Sequence, residues 1–80
     1  MDRSARRSLL LDAIDTALKA LATLPQDVKV AQLIAVAQRL RRQVAAWGEP
    51  APSEDEMTRV EQHVWSLHMA VADTRRREGE

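Results

Sequence analysis

The chain has 80 residues, with 12 basic and 12 acidic side chains, and its formal charge is zero. This length allows one small domain with a modest core, and the charge balance argues against whole-surface attraction to nucleic acid or membranes. There is no cysteine, which excludes disulfides and thiolate zinc sites and fits a reducing compartment.

The first segment spans about 3–23. Leu11, Ile14, Leu18 and Leu21 recur at alternating spacings of three and four, the signature of an amphipathic helix. Leu10, Ala17 and Leu24 widen the stripe, while Asp12, Asp15 and Lys19 lie off it. Asp12 and Asp15 also interrupt the apolar stretch behind the basic start, so the segment does not read as a signal peptide. No run approaches the roughly 18 apolar residues that a bilayer span needs. The expectation is a cytoplasmic protein. Lys19 and Lys29 are the only lysines beside many arginines, which reads as the codon bias of a GC-rich, bacterial genome.

TLPQD (23–27) separates the first segment from the second, which is expected over about 25–47. Pro25 suits the first turn of a helix, where its missing N–H costs nothing, and Asp27 complements the positive end of the helix. Val30, Leu33, Ala37, Leu40, Val44 and Trp47 form the stripe. Apolar residues also occupy other faces, among them Ile34, Ala35 and Val36, more than one small bundle needs. Gly48 follows as a natural C′ residue, with Pro50 beyond.

GEPAPS (48–53) is the second break. In the next residues Ser53 and Glu56 form a capping box. The third helix is expected over about 54–76, acidic in its first turn and arginine-rich in its last, as the helix dipole favours. Met57, Val60, Val64, Leu67 and Val71 form its inward stripe, and the chain after Arg76 is expected to fray. Short connections make successive helices antiparallel neighbours. The expected fold is therefore all-α, a single up-down-up three-helix domain over 1–80, closing on itself or completing its core in a homodimer. Expected layers run from Leu21, Val30 and Val71, through Leu18, Leu33 and Leu67, then Ile14, Ala37 and Val64, to Leu11, Leu40 and Val60. Trp47 and Met57 close the far end.

VEQHVWSLHMAV (60–71) raises the functional question. At about 100° per residue Met69 points away from the inward stripe. Trp65 and Ala72 share a flank beside it. Trp65, Met69 and Ala72, with Ile34, Ala35 and Val36 in the second segment, are the candidate protein interface, because Trp and Met are enriched in such surfaces. The plainer alternative is a broad core that absorbs Trp65 at its edge. His63 and His68 are five apart, not the three or four of a helical metal pair, so no metal site is expected.

The arginines at Arg3, Arg6 and Arg7 and at Arg39, Arg41 and Arg42 share one end of such a bundle. They offer an alternative reading, a small nucleic-acid-associated regulator with this end as its phosphate-binding patch. Glu49, Glu54, Asp55 and Glu56 fall at the same end and oppose that reading. No cysteine or tyrosine, no glycine-rich phosphate loop and no Asp placed to orient a histidine beside Ser66 are present. No catalytic grouping, cofactor or small-molecule substrate is therefore expected. The sequence points to a non-enzymatic interaction module, an adaptor, chaperone-like or regulatory protein, that buries apolar helix surface against itself or a partner.

Overall fold

The structure is a computed structural model that describes residues 3–48 and 51–78, without the side chains of residues 3, 4 and 78. Three helices follow in order: α1 (Arg3–Ala22), α2 (Val28–Ala45) and α3 (Glu54–Glu78). All three pack against one another in an all-α bundle elongated to 44 × 19 × 17 Å.

α2 begins three residues later than the proline suggested. Asp27 is the N-cap, in extended conformation, and its carboxylate accepts from Val30 N at 2.9 Å. Asp27 satisfies one of the free donors of the first turn, so Pro25 lies in the connection instead of in the helix. The connection is held from its own side chains: Gln26 donates to Leu21 O at 3.1 Å and Leu24 O at 2.9 Å. At its other end α2 stops at Ala45, and its C-cap Ala46 remains right-handed. Gly48 accordingly does not serve as a left-handed C′ residue. Trp47 lies past the helix and packs half-buried against the core, with its buried indole Nε1 unpartnered.

α3 starts as its capping box predicts, with Glu56 N donating to Ser53 Oγ at 3.1 Å. It continues to Glu78, past the expected end at Arg76. The reason is visible in its last turns. Asp73 pairs with Arg76 at 2.7 Å and with Arg77 at 3.2 Å, and basic residues suit a helix C-terminus. Residues 79 and 80 lie outside the described residues.

The core corrects the rotation of α1. Its buried line is Leu10, Ile14, Ala17 and Leu21, while Leu11 and Leu18 pack at the edge. Leu33 of α2 is likewise at the edge, and Val30, Ala37, Leu40 and Val44 are buried. In α3 the expected stripe of Met57, Val60, Val64, Leu67 and Val71 is buried throughout, with Thr74 extending it. Thr74 is satisfied within its own helix, donating to Ala70 O at 2.9 Å.

Candidate functional site

Cross-helix polar contacts fix how the helices face one another. Arg6 of α1 donates to Glu54 at 2.7 Å and to Glu61 at 2.7 and 2.9 Å, both on α3. These carboxylates, Glu54 first, raise the pKa of Arg6 above its ordinary value. Farther along, His68 Nε2 donates to Ala13 O at 2.9 Å. A carbonyl only accepts, so the Nε2 proton is assigned by its partner. On the opposite side Arg41 of α2 pairs with Asp15 of α1 at 2.8 Å. One flank of α1 thus faces α3 and the other faces α2.

Between α1 and α3, beyond His68, lies a shallow groove of about 110 Å³, lined by Thr16, Ala17, Ala20, His68, Val71, Ala72 and Arg75. Small residues on both walls leave this space. Thr16 Oγ1 is already engaged with Asp12 O at 2.9 Å, and the groove carries no set of converging polar groups of the kind that orients a small ligand. Among the described residues no group of three or more His, Asp or Glu side chains is placed to hold a metal ion, and no described helix is long and apolar enough to cross a membrane.

Among the described residues five large apolar side chains are exposed, Leu9, Val28, Val36, Trp65 and Met69, and two of them share the outer face of α3. Trp65 is 68% exposed and Met69 55%. Ala72 is exposed one turn on, at the mouth of the α1/α3 groove. Trp65 is therefore not absorbed by the edge of the core. A further exposed apolar residue, Leu9 at 54%, lies on α1 between Arg6 and Ala13 at spacings of three and four, the flank that faces α3. Sequence reasoning passed over it. The signal was the run of Leu9, Leu10 and Leu11. Three successive helical residues turn through about 200°, so one of three leucines had to face outward.

The candidates on α2 are not a strip. Ile34, Ala35 and Val36 are consecutive and fan around the helix. Ile34 packs against the core, Ala35 is exposed, and Val36 is 39% exposed. Ile34 shares the side of Arg41, which faces α1, whereas Val36 lies on the opposite flank. None of them joins Trp65 and Met69.

The arginine end is largely engaged. Arg6 is held by two glutamates and Arg41 by Asp15. Arg7 donates to Val44 O at 3.1 Å, which also accepts from Trp47 N, and to Ala45 O at 2.8 Å, where it meets the negative end of α2. Arg39 and Arg42 are exposed and make no ion pair among the described residues. The side chain of Arg3, like Glu49, lies outside the described residues. Two of the six arginines are thus exposed without a described partner, which is little for a phosphate-binding surface.

Comparison of the chain with protein families, with curated proteins and with solved structures gave no match.

Proposed function

We propose that the chain is a non-enzymatic helical interaction module that self-associates through the outer face of α3. The observation that carries this reading is the exposure of Trp65 and Met69, neighbours on one helical face, on a bundle that already has a continuous apolar core. Large apolar side chains clustered in water favour association, and Trp is the residue most often found as a binding anchor. A chain of 80 residues buries a smaller fraction of its surface on folding than a larger domain does, so added burial between copies also contributes stability. The lack of cysteine fits a reducing, cytoplasmic setting.

Sedimentation equilibrium over a wide concentration range, at low and high salt, tests the proposal. The expected result is a dimer or larger assembly that survives high salt. Trp65→Ala should lose about 2 kcal/mol or more of association, roughly thirtyfold, as loss of a buried aromatic anchor does. Undiminished association by Trp65→Ala would sink the assignment. A strict monomer that binds nucleic acid, with affinity falling steeply as salt rises, would favour the arginine end instead.

A further inference from the structure

The outer face of α3 has a symmetry that the short apolar stretch hides. Opposite the core, a seam runs through Asp55, Thr58, Gln62, Trp65, Met69, Ala72 and Arg76 at alternating spacings of three and four. Its ends carry opposite charge. α3 holds Glu54, Asp55 and Glu56 in its first turn and Arg75, Arg76 and Arg77 in its last. The seam also maps onto itself, to within one residue, under reversal about Trp65: Gln62 exchanges with Met69, Thr58 with Ala72 and Asp55 with Arg76.

We infer that the partner of this face is a second copy of the chain, its α3 packed antiparallel on the first with the two-fold axis at Trp65. The inference rests on the self-association proposed above and adds its geometry. In a two-fold interface every contact occurs twice. The two indoles meet at the axis with Met69 of each copy beside them. Thr58 faces the small Ala72, which permits close approach at that layer. At each end an acidic first turn meets an arginine-rich last turn. A parallel pairing sets acid against acid and arginine against arginine, and like-charge juxtaposition selects against it.

Intramolecular pairing does not compete strongly. Among the described residues Arg76 is engaged only with Asp73, through an exposed contact three residues away, and such pairs contribute little. Asp73 keeps Arg77 when Arg76 turns outward. Asp55 is exposed and available at the other end.

Charge reversal on the full chain tests the register. Asp55→Arg and Arg76→Asp should each weaken self-association about tenfold at low salt, because each breaks two symmetric end contacts. The double variant D55R/R76D restores opposite charges at both ends and should return to within about threefold of the parent. Circular dichroism at the same concentration checks that all three variants remain helical. If the parent associates and the double variant is as weak as the two losses combined, the antiparallel register is wrong while self-association stands. If the parent is monomeric throughout, both this inference and the proposed self-association fall.

Discussion

The two long faces of α3 are built on different plans. The inner face, Met57, Val60, Val64, Leu67 and Val71, is apolar from end to end and buried throughout. The outer face is apolar only around Trp65 and Met69, between an acidic first turn and a basic last turn. A uniformly apolar stripe favours burial but says little about register, because a shift by one turn replaces Val with Val or Leu. In the bundle that choice is made by short connections and by cross-helix pairs such as Arg6 with Glu61. A face with an apolar centre and opposite charges at its ends favours one alignment by itself. The inner face therefore provides most of the folding energy, and the outer face has the pattern expected of specific recognition.

Truncation on each face separates these roles. Ile14, opposed to the inner face from α1, has no exposed surface. Ile14→Ala removes buried methyl groups and leaves a cavity, at a cost of about 2–5 kcal/mol. For a domain of this size, with about 0.05–0.15 kcal/mol of stability per residue, that is a large share of the total. Thermal melts followed by circular dichroism should shift down by more than about 10 °C. Trp65→Ala, a larger truncation on the outer face, should leave the melt almost unchanged at concentrations where both proteins are monomeric. A fall as large as that of Ile14→Ala would mean that Trp65 belongs to the core.

The same contrast explains what was legible in the sequence. The helix count and both connections follow from period, proline and capping chemistry. The inward stripe of α3 is legible because charged residues flank it on both sides and allow no other rotation. α1 admits two overlapping stripes that share Ile14 and Leu21. The bulkier one, with Leu11 and Leu18, is not the buried one, because α1 lies between two neighbours and turns small Ala17 inward beside α3. The exposure of Leu9 was legible as well, because it faces outward under either rotation of α1. The contacts of Arg6, Arg7 and His68 were not legible. They depend on how far one helix slides and turns against another, which spacing within a helix does not determine.

The helix ends give a smaller effect, one that tests whether the bundle or its caps define α2. Asp27 accepts a hydrogen bond from Val30 N, and Val30 is itself buried. Asp27→Ala leaves that donor without its cap at a cost of about 1 kcal/mol, which lowers the melting temperature by about 4–8 °C in a domain of this size. Asp27→Asn keeps an acceptor oxygen and should recover most of the loss. If Asn recovered nothing, the contribution of Asp27 would be its charge at the helix N-terminus and not the cap.

The smallest expected effect lies at the far end of α3, at Asp73 and its two arginines. Asp73 is held below its ordinary pKa by the hydrogen bond from Arg76, with the nearby charges of Arg77, Arg76 and Lys29 acting in the same direction. A carboxylate whose pKa is lower in the folded chain adds stability that is complete above its unfolded pKa, about 3.9 for aspartate. That contribution is lost as pH falls through the lower, folded value. Asp73→Asn should therefore lower stability slightly at neutral pH, and the difference from the parent should close in strongly acidic solution. Because the arginines are solvent-exposed, added salt should shrink the gap as well. Urea titrations of both proteins at neutral pH and near pH 3 would measure it. A gap that widened toward acid would mean that Asp73 is stabilised as the neutral carboxyl, contrary to its pairing with Arg76. The freedom of that arginine to leave Asp73 for a second copy would then have to be measured directly.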